Sequence, residues 1–458
     1  MPTFPDFTEI KQTIENYHDI PKTEHFISFP EVHIENINAE FIFNKEDLYA
    51  NIVLSREDKN KLQIYQGKNI FVKFGKYMST NSFISSFELF VQNDIIRYIC
   101  KIFIYNVYSG DREQANISVI SRHSNMHRLD KAVAFGPMQG EFLVNKTKFY
   151  LYHINRDFIA IISEQHLPFN EFRMYAQRIK TALDFLNCQI VGENMYIFSS
   201  NKKLNSIQNI SIEQLSKAGS LQFNIFIDDI FLLEKMFAQK YCEENIRLTP
   251  QQFGKLCEFL VNDEQISTVI NYILQSAHLW EEHKLVYLSI AFEALHKSEF
   301  LNIKKGIKTT QILDSNTFLD LKSKLDKVID SYSINDDEKD ILRKKFNNAL
   351  PNRDSLILPF KILKIDVTDE EEKVIEKRNR VLHGTAPKYS DNIKKDIVTY
   401  QHDTHIMYSL LYRAILKLIG YDGYILNLQE WNNIIEHTQK ECCVEEQIYR
   451  DDFFVSLK

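Results

Sequence analysis

The hydrophobic pattern of this chain changes period partway along, and that change limits what it can fold into. From about residue 25 to 165, short runs rich in β-branched and aromatic residues are punctuated by Gly, Asn and Asp. Examples are Ala39-Glu40-Phe41-Ile42-Phe43, Asn69-Ile70-Phe71-Val72-Lys73-Phe74 and Tyr98-Ile99-Cys100-Lys101-Ile102-Phe103-Ile104-Tyr105. Partial alternation is the signature of strands with one covered face. The expected architecture is an antiparallel sandwich or a partly open barrel, between which the spacing does not choose. At strand period the aromatics belong to the core, with stacking on a ligand the lesser reading. Helical period follows in residues 168–187, through Phe172, Tyr175, Ile179, Leu183 and Leu186. It returns in 229–241, in 249–261 behind a Thr-Pro start, in 266–274, in 280–296 and in 392–419. Between the two regimes lies the polar stretch Ser199-Ser200-Asn201-Lys202-Lys203-Leu204-Asn205-Ser206, which reads as a linker or as a loop inside one unit. The fold class is therefore α+β, with a β-rich domain over 1–200, a helical domain over 201–425 and a tail over 426–458.

Composition narrows the chemistry. With 44% hydrophobic and 26% charged residues, 458 residues suffice for two or three cores. A formal charge of −7 disfavours a general nucleic-acid coat and confines any RNA contact to a local basic patch. The six cysteines, Cys100, Cys188, Cys242, Cys257, Cys442 and Cys443, lack C-x-x-C spacing, so neither a zinc ribbon nor a disulfide framework is expected. Met1-Pro2-Thr3-Phe4-Pro5-Asp6 does not resemble a leader, and no apolar run approaches the length of a bilayer span, so a cytoplasmic protein without membrane partners is expected. Phosphate-binding, dinucleotide-binding, serine-hydrolase and zincin motifs do not occur, and no cofactor is expected.

One stretch carries more specific chemistry: Arg378-Asn379-Arg380-Val381-Leu382-His383-Gly384, at the end of a predicted helix. That helix opens at Thr368-Asp369-Glu370-Glu371, where the threonine hydroxyl caps the first free amides and Glu371 bonds back to the threonine amide. At about 100° per residue, Val374, Ile375, Val381 and Leu382 share one stripe, with Arg378 in the middle of it. A cation aimed at a core needs an acidic partner, a bound anion or a solvated seam against another subunit. Glu293 is the natural partner, because residues 280–296 are apolar on nearly all sides and the helix they form is buried. Asn379 and His383 lie four residues apart on the flank of the stripe. His383 falls in the last turn, where the helix dipole favours its protonated form, and Gly384 suits the left-handed residue that ends the helix. An imidazole, a fixed cation and an amide at one helix end are what metal-free RNA cleavage requires: proton transfer, charge stabilisation and orientation.

Spacing alone is weak evidence, since Arg122 and His127 repeat it within Ser121-Arg122-His123-Ser124-Asn125-Met126-His127. The C-terminal copy differs in its asparagine, its apolar pair, its glycine and its capped helix. In that context it resembles the R-N-x-x-x-H signature of the HEPN superfamily of all-helical ribonuclease domains, and more specifically the ApeA-like HEPN group of bacterial anti-phage proteins. In that group an E-A-L-H-type helix end precedes the motif helix and a long helix ending in Leu/Ile-Gly follows it. Here these are Phe292-Glu293-Ala294-Leu295-His296 and Leu418-Ile419-Gly420, and the resemblance covers roughly residues 230 to 425. It implies a metal-independent endoribonuclease leaving a 2′,3′-cyclic phosphate, with Arg378, Asn379, His383 and Glu293 as site residues. It further implies host RNA as substrate, with transfer RNA a favoured target, and a phage-derived trigger sensed by the N-terminal domain. Arg378 and His383 diverge by about 140° around their own helix. A homodimer or higher even oligomer that pairs motif helices would bring both onto one phosphate. Two other classes stay open: a non-catalytic sensor or scaffold, and a toxin–antitoxin partner modified by a nucleotidyltransferase.

The remaining candidates have bland readings beside the sharp ones. Lys304-Lys305-Gly306-Ile307-Lys308 and Arg343-Lys344-Lys345 read as solvated faces before they read as an RNA track. His402-Asp403-Thr404-His405 lacks a third defined metal ligand. His296 reads as a helix-end residue and Arg380 as a surface residue. Residues 354–366, with Pro359, read as an extended connector, and the tail, with Trp431, as a capping helix.

Overall fold

The alternating runs of the N-terminal region pair into one 13-stranded sheet whose first half closes on itself. The computed structural model describes residues 6–44, 47–92, 95–110, 112–121, 139–154, 158–190, 194–201, 206–214, 219–220, 247–298, 301, 312–348, 352–382, 393–428 and 454–457. Strands β1 (Phe26–Phe29), β2 (Ile34–Asn44), β3 (Asp47–Leu54), β4 (Asn69–Phe74), β5 (Tyr77–Gln92) and β6 (Ile95–Ile104) run in the order β4-β1-β2-β3-β6-β5. Antiparallel pairing of β4 with β5, in addition to β1, closes the ring. Alternation decides what lines it: Ile70, Val72 and Phe74 of β4 point inward and are buried, while Asn69 and Lys73 are exposed. On β6 the inward residues are Cys100, Ile102 and Ile104.

The sheet continues from β5 through β7 (Val107–Ser109), β14 (Ile207–Gln214), β13 (Asn194–Ser200), β8 (Gln114–Ser121), β11 (Phe158–Pro168), β10 (Thr147–His153) and β9 (Gln139–Val144). The barrel expectation is met in part: a closed ring continues into an open antiparallel extension of the same sheet. Register explains the polar stretch at 199–206: Ser200 pairs with Ile207, so it joins two strands of one sheet. Short pairs β12 (Gln189–Ile190) with β15 (Gly219–Ser220), and β16 (Tyr424–Leu426) with β17 (Phe454–Ser456), complete the strands. The second pair places strand, where a capping helix was expected, at the described ends of the tail; Trp431 and both cysteines of the tail lie outside the described residues.

Helices α1 (Thr8–His18), α2 (Ile20–Thr23) and α3 (Arg56–Gln63) add Ile10, Ile14, Tyr17, Ile20 and Leu62 to the barrel core. Helix α4 (Phe169–Asn187) lies on β8 and β11 through the face read from sequence, with Phe172, Tyr175, Ile179, Leu183 and Leu186 all buried. It also buries an ion pair, Lys180 to Asp184, at 2.5 Å. Helix α5 (Pro250–Asn262) begins in this unit. There Phe253 meets Phe142 edge to face at 4.8 Å, and a Cβ on Gly254 would fall 2.4 Å from the Leu143 carbonyl oxygen. Only glycine permits that approach.

The contacts divide the described chain between Glu258 and Phe259, inside α5, with residues up to Ser220 and from Arg247 to Glu258 in the first unit. The second is helical: α6 (Glu264–Gln275), α7 (Glu281–Lys297), α8 (Ser315–Asp330), α9 (Asp336–Lys345), α10 (Asn352–Leu363), α11 (Asp369–Leu382) and α12 (Ile393–Leu418). Helix α7 is its centre, packed by α6, α10, α11 and α12, as its all-round apolar surface requires. Asp263 joins two of these elements. One carboxylate oxygen caps α6 at the amides of Gln265 and Ile266, and the other accepts from Ser298 at the end of α7 at 2.7 Å.

Two sequence expectations fail here. Residues 352–363 are helix, not extended connector, although Pro359 sits inside. An interior proline costs about 3 kcal/mol. Burial of Leu356, Ile357, Phe360 and Leu363, each at about 2 kcal/mol, outweighs it. The helix stops where Lys364 turns left-handed. Helix α12 was expected to be apolar on one face almost throughout, yet Ile397 and Val398 are exposed and continuous burial begins only near Asp403. Among the described residues no helix is long and apolar enough to cross a membrane.

Candidate functional site

Helix α11 carries the motif, and three charged contacts fix it within the helical unit. The first is at its start, where the capping box read from sequence is formed. The Glu371 amide donates to Thr368 Oγ1 at 3.2 Å, and the Thr368 amide donates to Glu371 Oε2 at 2.8 Å. Such a cap contributes about 1 kcal/mol. Glu371 is buried, and its other oxygen accepts from Arg413 of α12, which also donates to the Asp366 carbonyl. The cap is therefore half of a buried ion pair.

The second contact lies two turns on. Val374 and Ile375 are buried as the stripe demands, and the Arg378 side chain is fully enclosed at 0% exposure. Its Nη2 donates to Glu293 Oε1 at 2.8 Å, and its Nη1 to the Ser289 carbonyl at 3.3 Å. Both acceptors are on α7. The pair is uneven, because the Glu293 side chain retains 35% exposure while the guanidinium has none. A buried arginine so held anchors α11 to α7, and removing its carboxylate would leave a desolvated charge.

The third contact faces the other way around α11. Lys377 Nζ lies 3.0 Å from both carboxylate oxygens of Asp403, which is buried on α12. Beside it His402 Nε2 is 3.6 Å from Glu370 Oε1. His405, one turn further, is held neutral: burial, then the neighbouring Lys284 and His402 charges, push its pKa down to about 4. These contacts account for the His-Asp-Thr-His run without a metal, since the Asp403 carboxylate already holds an ammonium. Among the described residues no group of three metal-binding side chains occurs.

Of the four residues assigned to the site, the structure brings Arg378 and Glu293 together. Asn379 lies in the last turn of α11. His383 lies outside the described residues, as do Arg122 and His127 of the second match and Lys304-Lys305-Gly306-Ile307-Lys308. His296 is in the last turn of α7. Arg343 is engaged by Asp326, Asp330 and Asp340 and so offers no open RNA track. Sequence reading missed Arg413, and it weighed Asp403 only within a metal motif, not as the partner of Lys377. The signal was present, because Arg413 interrupts an apolar run, Leu410 to Leu416, in the way that Arg378 interrupts its stripe.

The free thiols Cys100 and Cys257 are buried, which pushes both pKa values up, that of Cys100 to about 12, so neither is a nucleophile at neutral pH. Comparison of the chain with protein-family models, with curated proteins and with solved structures finds no match.

Proposed function

We propose that the helical unit is a metal-independent endoribonuclease of the HEPN type, acting in anti-phage defence. What supports this reading above all is the Arg378–Glu293 pair: the motif arginine is enclosed and salt-bridged to the carboxylate of the preceding E-A-L-H helix. In this scheme Arg378 is a positioning residue. It holds the end of α11 on α7 and so sets where Asn379 and the following His383 emerge. His383 would take the 2′-hydroxyl proton and return one to the leaving 5′-oxygen, giving a 2′,3′-cyclic phosphate, and Asn379 would orient the imidazole or the phosphate. A second protomer would supply the facing imidazole. Host RNA, a phage-derived trigger acting through the β-rich unit and a cytoplasmic setting belong to the same proposal.

The enclosure of Arg378 also favours a second reading. A fully enclosed arginine that donates to Glu293 and to a backbone carbonyl is not presented to a phosphate, as in a non-catalytic sensor or scaffold. The test is RNA integrity and growth on induction of the wild type, His383→Ala and Arg122→Ala/His127→Ala, followed by cleavage by the purified protein in chelator. Cleavage that persists in chelator, is lost in His383→Ala and is kept in the double variant supports the nuclease. A His383→Ala protein that still restricts phage would make the motif structural.

A further inference from the structure

The β-rich unit holds a polar cavity of about 330 Å³, outside every contact described above. It opens where β5, the β6–β7 turn, the segment after β7, the first turns of α4 and β14 converge. Arg112, Arg173, Asn81, Asn106, Asn170 and Glu213 line it, with Phe169 the one apolar side chain.

Its two arginines are set differently from those of the helical unit. Glu213 is buried; one oxygen forms an ion pair with Arg173 Nε at 2.6 Å, and the other accepts a hydrogen bond from Gln177 Nε2 at 3.2 Å. That pair fixes the Arg173 fork by one nitrogen, and the two terminal nitrogens take no partner among the described residues. Arg112 has no carboxylate partner among the described residues. Its Cζ lies 3.9 Å from the centroid of the Tyr108 ring and 5.6 Å from that of Phe169, so it is positioned by cation–π contact and keeps its N–H edge uncommitted. The side-chain amides of Asn106 and Asn170 likewise take no partner among the described residues. Asn106 is held at φ 48°, a left-handed turn conformation that asparagine tolerates. Asn170 stands in the first turn of α4, a 19-residue helix without a side-chain cap; the Phe169 amide donates to the Glu113 carbonyl, and the positive end of the helix dipole lies at this turn.

Two guanidiniums against one carboxylate leave a net positive site, surrounded by amide donors and with little apolar wall. A carboxylate has two oxygens and cannot use so many donors, whereas a phosphate monoester presents three oxygens and up to two charges. A volume near the lower end of small-molecule sites limits the rest of the ligand. We propose that this cavity binds the phosphate monoester of a small polar molecule, no larger than a mononucleotide. The assignment lies wholly within the β-rich unit and stands or falls separately from the ribonuclease reading.

The experiment is calorimetric titration of the full-length protein with inorganic phosphate, ribose 5-phosphate and a nucleoside 5′-monophosphate, with ribose and succinate as controls. Saturable binding of at least one phosphate ester is expected, with none for ribose or succinate. Arg112→Gln should weaken that binding about tenfold or more with little change in thermal unfolding, because Arg112 has no ion pair to lose. Asn170→Asp, at an exposed position, places an anion in the site and should abolish binding while leaving the fold intact. Absence of saturable binding for every phosphate at millimolar concentration would overturn the proposal. So would undiminished binding in both variants, and succinate binding as tightly as the esters would overturn the phosphate assignment.

Discussion

Arginines in the two units are held in opposite ways. In the helical unit Arg378 and Arg413 are enclosed, each donating to a carboxylate and to a backbone carbonyl. In the β-rich unit Arg173 gives one nitrogen to a buried carboxylate and keeps its others, while Arg112 rests on an aromatic ring. The group is the same, and the difference lies in how much of its donor capacity the protein uses. A guanidinium taken up from both sides locks elements together, and one positioned by a single contact retains the capacity to recognise an anion. By this measure Arg378 is an anchor and the β-rich pocket is the recognition site, although sequence points only to Arg378.

Substitutions sharpen this contrast in order of effect. The largest loss is expected for Arg413→Met, which strands Glu371 in an enclosed site. Side-chain exposures of 9% and 8% leave neither group access to water, and a cost of about 3–5 kcal/mol is expected. Hydrogen exchange across α11 and α12 measures it, and unchanged protection would break the anchor reading. Arg378→Met should cost less, about 2–3 kcal/mol, because Glu293 is 35% exposed and can rehydrate. Adding Glu293→Leu should recover part of that loss, and strict additivity would show that the two residues do not act as a pair.

Acidification tests the neutral side of the same interface. His405 has a folded pKa of about 4 against an ordinary value of 6.5, so between those pH values the unfolded chain binds more protons than the folded one. Stability of the helical unit should therefore fall as pH drops from 6.5 towards 4, by roughly 3 kcal/mol from this group. His405→Leu should flatten that slope in thermal unfolding, and an equal slope in both proteins would remove His405 as the cause. Thr368→Ala removes half of the capping box and should cost about 1 kcal/mol, read as faster exchange confined to the first turn of α11. At the other extreme, Arg112→Gln should change stability by no more than about 1 kcal/mol, because only the cation–π contacts to Tyr108 and Phe169 are lost.

Much of the helical unit is legible from residues because its signals are local. The Thr368–Glu371 cap, the boundaries of α4, α6 and α7 and the burial of Val374 and Ile375 depend on residues within one or two turns. The Glu293 partner of Arg378 follows from a nearly general rule, that a charge on an apolar stripe must be answered. Arg413 obeys the same rule, but nothing in the order of residues says that its answer is a capping glutamate. Pro359 misleads in the other direction. Its local penalty is real, and only the packing of Phe360 on Phe292, with ring centroids 5.7 Å apart, shows that it is outweighed.

What the sequence by itself determined is therefore the class of most segments, the start of the motif helix and the need for a charge partner within the helical unit. Tertiary structure alone decided that β4 closes the barrel on β5, that the polar stretch at 199–206 joins paired strands, and that Arg112, Arg173 and three asparagines surround one cavity. Those residues come from four separated segments, and each is unremarkable on its own. Periodicity and capping act over a few residues and are written locally, whereas strand closure and converging donors depend on which distant segments meet, a choice made by the summed burial of the whole unit.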